Sequence, residues 1–350
     1  PTFYPNVIVD EPLIDAICIG EGDEAIVDLV NSLQAGRLDT DIKNLWIRDG
    51  ETIHKNENRP LISNLDTIPF EDRDIYFQKY PDIAKGDIKF NVGRGCPFKC
   101  TYCFNDGMME LYEGERWTRL MSPERVIEEI QYVKKTYPIA WVNFNDDTFN
   151  IKKKWTNSFL KLYKDEVGIP FLTQLRIDLT TEEQIRLLKE ANCVKIMVGI
   201  EHGVSELRTQ MLLRKISDDQ IVQFANWVNK YKIRLQTTNI IGFPEETLEM
   251  AYKTIELNSR LKPELAVINL LNPYPGTQIY SYLQQKGLLE EGFKFDELTG
   301  QNVWAGKKGN VASVIKNDQI PLFINLRCFF MILVNHYWLK PIVNVLIRLP

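Results

Sequence analysis

What is scarce in these 350 residues excludes a good deal. There are three histidines and six cysteines, and the cysteines are unevenly spread: Cys96, Cys100 and Cys103 fall within one short stretch, while Cys18, Cys193 and Cys328 stand alone. No second cysteine knuckle and no neighbouring histidine completes a four-ligand structural zinc site. So few cysteines in so long a chain do not make a disulfide scaffold, which points to the reducing cytoplasm. Basic residues are not in excess either. Lys and Arg number 42 against 47 Asp and Glu, a net charge of -5, so no nucleic-acid partner is expected and a small molecule fits better. Neither a secretory signal nor an initiator Met opens the chain, and a fragment with missing upstream sequence is the expectation.

Long apolar runs are lacking too. The most apolar stretch, 320–349, is interrupted by Arg327, Asn335, His336, Lys340, Pro341 and Asn344, short of the ~18 uninterrupted apolar residues of a spanning helix. A buried helix pair is one expectation for it. Peripheral membrane contact through residues 320–350 is the other, given its aromatic and basic content.

What is present is a regular alternation. Strand text at 89–94, 141–146, 171–177, 194–201, 234–243 and 264–271 is separated by helical text at 122–136, about 152–165, 180–192, up to about 231, and 245–261. Ser122 followed by Pro123 reads as an N-cap and first helical position. Six strand-helix units in a row predict an α/β fold, a partial (β/α)6 TIM-like barrel with its functional residues at the C-terminal ends of the strands. The residue types there agree: the cysteine loop after strand one, Asp146 and Asp147 after strand two, Arg176 and Asp178 after strand three, Glu201 and His202 after strand four. Residues 1–35 read as strand, glycine-acid turn and helix, the closing unit of another α/β domain. Residues 36–84 read as a hairpin and linker, 85–290 as the partial barrel, and 291–350 as an apolar helical C-terminal segment.

Three thiolates at C-x3-C-x2-C spacing suit an iron-sulfur cubane that keeps one iron open, and an open metal position marks a catalytic site. This motif, with Tyr102 before the last cysteine and a strand before the loop, resembles that of the radical S-adenosylmethionine enzymes over residues 85–290. The resemblance implies a 4Fe-4S cluster on Cys96, Cys100 and Cys103, with S-adenosylmethionine on the open iron. It also implies reductive cleavage to a 5′-deoxyadenosyl radical that abstracts hydrogen from a substrate, and an electron donor such as flavodoxin or ferredoxin. Tyr102 and Phe104 join the cofactor-binding residues. NDDTF at 145–149 stands where relatives bind the methionine ammonium, which assigns Asp146 and Asp147 to it. GIEHG at 199–203 matches the strand-four motif, which brings in Gly199 and Glu201, with His202 where relatives usually have Ser. Arg176 and Arg214 are the candidates for the methionine carboxylate, and Ile241 of IIGFPEET for the adenine.

PTFYP, IGEGDEAIVDL, LDTIPFEDRDIYF and NPYPGT resemble the corresponding segments of members that carry a cobalamin-binding domain ahead of the barrel. Residues 1–35 are then the remnant of that Rossmann-like domain, with Gly20, Glu21 and Gly22 at most on the rim of a corrinoid site. Cobalamin is therefore a conditional third cofactor, since no Asp-x-His-x-x-Gly loop is present. Methyl transfer is the leading expected chemistry, with cyclisation or oxidation beside it. The alternatives are a cobalamin-independent oxidoreductase or methylthiotransferase, and, from another class, a non-catalytic metal-binding protein. The apolar tail makes a lipid-like substrate an expectation to test. Tyr112, Trp117 and Arg119 read as either pocket lining or aromatic packing.

Overall fold

A computed structural model of the chain describes residues 1–289 and 313–349. The expected C-terminal segment thus lies outside the described residues as far as 312. The chain divides into two compact units, one made of 1–63, 97–118 and 273–282, the other of 64–96, 119–272 and 283–350.

The larger unit is built on a six-stranded sheet. Its strands are β1 (Asp87–Phe90), β2 (Trp141–Phe144), β3 (Phe171–Leu175), β4 (Cys193–Glu201), β5 (Arg234–Ile241) and β6 (Leu265–Leu270), in the order β6-β5-β4-β3-β2-β1. Every neighbouring pair is parallel. That is the expected α/β architecture of a partial TIM-like barrel. The connecting helices are α1 (Pro123–Thr136), α2 (Lys153–Glu166), α3 (Glu182–Glu190), α4 (Asp218–Lys230) and α5 (Leu248–Leu261).

Local sequence sets the helix starts. Ser122 accepts from the Arg125 N–H with Pro123 behind it. Thr181 with Gln184 and Ser217 with Gln220 form reciprocal capping boxes, and Thr247 caps α5. Each cap satisfies an N–H that the first helical turn leaves without a partner, worth about 1 kcal/mol. Between sheet and helices lies an aromatic core in which Phe144 meets Phe149, Phe159, Tyr163 and Phe171 at 5.1–5.8 Å between ring centroids. The four phenylalanines are fully buried, each burial contributing roughly 1.5–3 kcal/mol.

Two features bear on function. The run read as strand 89–94 is broken: β1 stops at Phe90, and Gly93–Arg94 pairs antiparallel with Arg119–Leu120 instead. At the other edge, α6 (Ile320–Asn335) and α7 (Lys340–Leu346) form an apolar cluster with α5, β5 and β6. The Ala266 N–H on edge strand β6 donates to Met331 Sδ of α6 at 3.0 Å, so a helix covers an edge that would otherwise offer unpaired amides.

The smaller unit holds a three-stranded antiparallel sheet of Ala16–Cys18, Leu45–Asp49 and Thr52–Lys55, with the helix Asp23–Gln34 beside it. That helix buries Ala25 but leaves Ile26, Val27, Val30 and Leu33 exposed. The second half of the cysteine loop belongs to this unit and leads into the helix Asn105–Leu111.

Candidate active site

Cys96 closes its stretch of the larger unit. Gly95 before it has φ +79°, a left-handed conformation that glycine adopts at no steric cost. The Cys96 thiol is buried, 3.5 Å from the Thr148 hydroxyl after β2. In the smaller unit the Cys103 N–H donates to the Cys100 carbonyl at 2.9 Å, a tight turn. The Asn105 amide donates to Cys103 Sγ at 3.4 Å, and the Trp117 indole N–H donates to Asn105 Oδ1 at 2.7 Å. Trp117 thereby fixes which way the amide points, leaving its NH2 for the sulfur. Tyr102 is half-buried and Phe104 is 48% exposed. The segment after β6 is anchored here as well, since the Ile279 N–H donates to the Thr101 carbonyl at 2.9 Å. Tyr112 and Trp117 are buried and stacked, with ring centroids 6.1 Å apart. The Tyr112 hydroxyl accepts from the Glu21 N–H at 3.0 Å. A Cβ at Gly20 would sit 2.0 Å from that hydroxyl.

Among the described residues no three His, Cys, Asp or Glu side chains gather closely enough to hold one metal ion. A cubane does not require that, because each thiolate binds a different iron and the sulfurs stand well apart. The residues present fit such a cluster by donor chemistry. Three thiols lie on one loop; the Asn105 NH2 donates at Cys103, whereas the Thr148 hydroxyl near Cys96 donates to the Asp147 carbonyl at 2.6 Å, and hydrogen bonds to cluster sulfurs tune the potential.

The strand ends of the larger unit carry the remaining expected residues. Asp146 Oδ1 accepts from the Val92 and Gly93 N–H groups at 2.9 and 3.0 Å. Its carboxylate fixes the turn leading into the cysteine loop. Burial pushes the Asp146 carboxyl up to about 7, against the pull of those two amides, and Oδ2 has no hydrogen-bond partner among the described residues. Asp147 beside it is exposed. Arg176 is buried, its fork on the Asp178 carboxylate at 3.0 and 2.9 Å.

Another group lies at the end of β4. Glu201 has φ +67°, a strained conformation for a residue with a side chain. Its carboxylate folds back over Gly199, where an added Cβ would stand 1.9 Å from Glu201 Oε1. Arg214 Nη2 donates to the Gly199 carbonyl at 2.7 Å, and its Nη1 lies 3.7 Å from Glu201 Oε1. Gly199, Glu201 and Arg214 are thus brought together. Ile241 ends β5 in full burial.

Behind this group lie contacts that sequence reasoning missed: it placed His202 after strand four without a partner, and it did not single out Glu246 or Arg208. His202 Nδ1 accepts from the Val204 N–H at 3.0 Å, so Nε2 carries the hydrogen given to Glu246 Oε1 at 2.9 Å. Glu246 Oε2 accepts from the Gly242 and Phe243 N–H groups at 2.6 and 3.0 Å. Arg208, fully buried, donates to the carbonyls of His202 and Ile216 and pairs with Asp218. Only the closeness of the acid to the glycine in GFPEE could have flagged Glu246.

A parallel βα sheet whose strand ends carry these groups defines the partial-barrel class. Residues 90–257 match the Radical SAM superfamily. An uncharacterized methyltransferase of Pyrococcus horikoshii is 32% identical over 294 residues, covering 82% of this chain and 62% of that protein. Residues 90–257 are thus a domain of the radical SAM superfamily, which uses a 4Fe-4S cluster and S-adenosylmethionine. The anaerobic magnesium-protoporphyrin IX monomethyl ester cyclase of Rubrivivax gelatinosus is 25% identical, covering 81% of this chain and 51% of that one. The chain therefore spans less than two thirds of either relative. Among solved structures, the radical S-adenosylmethionine methyltransferase TsrM from Kitasatospora setae, with cobalamin and a [4Fe-4S] cluster bound, superposes with TM-score 0.65. It is 16% identical and covers 81% of this chain and 56% of that one, a likeness of fold.

Proposed function

We propose that this chain is the catalytic part of a cobalamin-type radical S-adenosylmethionine enzyme acting on an unactivated carbon of a small hydrophobic molecule, with methyl transfer as its chemistry. The observation that carries the reading is the loop of Cys96, Cys100 and Cys103, inside the matched region, with the Asn105 amide donating to Cys103 and no fourth cysteine in the loop. The methyltransferase name of the Pyrococcus relative supports methyl transfer. The cyclase name of the Rubrivivax relative supports ring closure as the second reading.

When bound, the cluster and S-adenosylmethionine supply a 5′-deoxyadenosyl radical that abstracts hydrogen. The chain's own residues bind and orient. Cys96, Cys100 and Cys103 would each hold one iron, with Tyr102 and Phe104 next to Cys103 in the chain. Glu201 and Arg214 form an acid-base pair suited to an amino acid's ammonium and carboxylate. Asp147 and Arg176 belong to the same set, and Ile241, whose side chain is packed in the apolar cluster with α5 and α6, would meet the base through its backbone. Asp146 acts by setting the 92–93 turn that aims the loop. Residues 85–290 form the catalytic barrel in this reading, and 1–35 the last unit of a corrinoid domain. The exposed Ile26, Val27, Val30 and Leu33 face suits packing inside such a domain. An electron donor such as flavodoxin or ferredoxin, in the cytoplasm, completes the reading.

The test is anaerobic reconstitution followed by assay of 5′-deoxyadenosine. The wild type should bind a 4Fe-4S cluster and form the product under a strong reductant. Cys100→Ala should lose both, and a variant that still cleaves S-adenosylmethionine would overturn the assignment. A corrinoid absorption band retained through gel filtration of the full-length protein tests the cobalamin half.

A further inference from the structure

The C-terminal helices bury only one of their apolar faces. Val343 and Ile347 are buried against α6 and α5, whereas Trp338 is 73% exposed and Ile342, Val345 and Leu349 are exposed with it. Their spacing of four, three and four residues puts those four on one side of α7 and its flanks. From 319 to 349 there is no Asp or Glu, while Arg327, Lys340 and Arg348 are present, in a chain of net charge -5. No helix among the described residues is long and apolar enough to cross a membrane.

Beside that face opens a cleft of about 420 Å³ between the start of α5 and α7. Thr247, Glu249 and Tyr252 line one wall, and Lys340, Asn344 and Arg348 the other. The cleft sits at the positive end of the fourteen-residue helix α5, whose Leu248 and Met250 N–H groups are taken by Gln319 Oε1 and Thr247 Oγ1, so that the helix contributes its dipole. Tyr252 is 2% exposed, and its hydroxyl has no hydrogen-bond partner among the described residues although it lines the opening. Burial pushes that hydroxyl up to about 12, so it keeps its hydrogen and offers a donor. Among the described residues Arg348 spends only Nε, on the Asn344 carbonyl at 3.1 Å, and joins no ion pair. Lys340 lies 3.1 Å from both oxygens of Glu249, which supplies the one carboxylate of the cleft. A buried donor without an acceptor, the Arg348 guanidinium, the Lys340 ammonium shared with Glu249 and the positive end of a helix dipole together describe a seat for a phosphate group.

We propose that the cleft takes the headgroup phosphate of an anionic phospholipid while Trp338, Ile342, Val345 and Leu349 lie in the adjoining acyl boundary, so that α7 docks the protein on an anionic membrane surface. The apolar face decides for a lipid over free phosphate: a free ion would use the cleft and leave four large apolar side chains in water. The arrangement matches an interfacial helix, apolar on its outer side with basic residues and a Trp at the boundary. It is independent of the radical chemistry, and loss of either leaves the other standing.

The experiment is co-sedimentation of the full-length protein with phosphatidylcholine vesicles, pure or doped with phosphatidylglycerol, with inorganic phosphate binding followed in parallel by calorimetry. Binding should be several-fold stronger to the doped vesicles and should weaken with salt. Arg348→Gln should reduce it about fivefold, the weight of one basic residue at an anionic surface. Trp338→Ser with Ile342→Ser, both exposed, should abolish it without changing the circular dichroism. Tyr252→Phe should reduce the preference for phosphatidylglycerol, an effect that a merely apolar surface helix would not show. Vesicle binding lost only in the Trp338 and Ile342 variant, with Arg348→Gln and Tyr252→Phe unchanged, would remove the headgroup seat. Phosphate binding without vesicle binding would overturn the lipid, and binding to neither would overturn the site.

Discussion

Asp146 and Glu246 do the same job near opposite edges of the sheet. Each uses one carboxylate oxygen to accept from two consecutive N–H groups just past a strand, Val92 and Gly93 after β1 for Asp146, Gly242 and Phe243 after β5 for Glu246. The difference lies in the second oxygen. Glu246 Oε1 receives the His202 Nε2 hydrogen, and both partners are buried. Asp146 Oδ2 is buried without a hydrogen-bond partner among the described residues. The Glu246 clamp is closed by His202, while the Asp146 clamp carries a carboxyl whose ionisation is resisted by burial. Closed, the clamp is scaffolding; open, it couples the start of the cysteine loop to protonation.

The largest effect should come from breaking the closed clamp. Glu246→Ala leaves the His202 donor and two backbone donors buried with nothing to bond, which should cost about 3–5 kcal/mol. The denaturant midpoint checks this, and an unchanged midpoint would show that the 242–243 turn does not depend on the carboxylate. The open clamp should respond to pH instead. With its folded value raised to about 7, Asp146 contributes stability that is full below the ordinary carboxyl range near 4 and is lost as pH rises through 7. Asp146→Asn keeps an acceptor for Val92 and Gly93 and cannot ionise. The wild type should therefore lose stability relative to the variant between pH 4 and 7, with a slope of at most about 1.4 kcal/mol per pH unit. Parallel pH profiles would show that Asp146 is ionised throughout.

How much of this was legible in the sequence follows from range. All six parallel strands were readable, because apolar runs between capped helices are local signals; Ser122, Thr181 and Ser217 cap within three residues of themselves. The expected end of strand one was not legible. Gly93 and Arg94 look like more strand, but they pair with Arg119 and Leu120, and nothing local announces that partner. The cysteine loop was legible because its chemistry is written in eight contiguous residues. The clamps were not, because Asp146 meets the backbone of Val92 and His202 meets Glu246 only after folding. Asp146 was read as a ligand residue by position alone, and its geometry gives it backbone work that spacing could not reveal.

The smallest expected change in stability is at Gly199, where a third carboxylate is arranged in another way. Glu201 sits at φ +67°, and its carboxylate folds over a glycine with Arg214 3.7 Å away. A Cβ at 199 would meet Glu201 Oε1 at 1.9 Å and Arg214 Nη2 at 3.4 Å, and the movable end of the Glu201 side chain can yield. Gly199→Ala should then cost only about 1 kcal/mol and leave both clamps intact. Binding of S-adenosylmethionine to the reconstituted protein should weaken roughly tenfold, about 1.4 kcal/mol, because the carboxylate is pushed from its place beside Arg214. An affinity equal to wild type would take Glu201 out of the cosubstrate site and leave it, like Asp146 and Glu246, a carboxylate that serves the chain's own geometry.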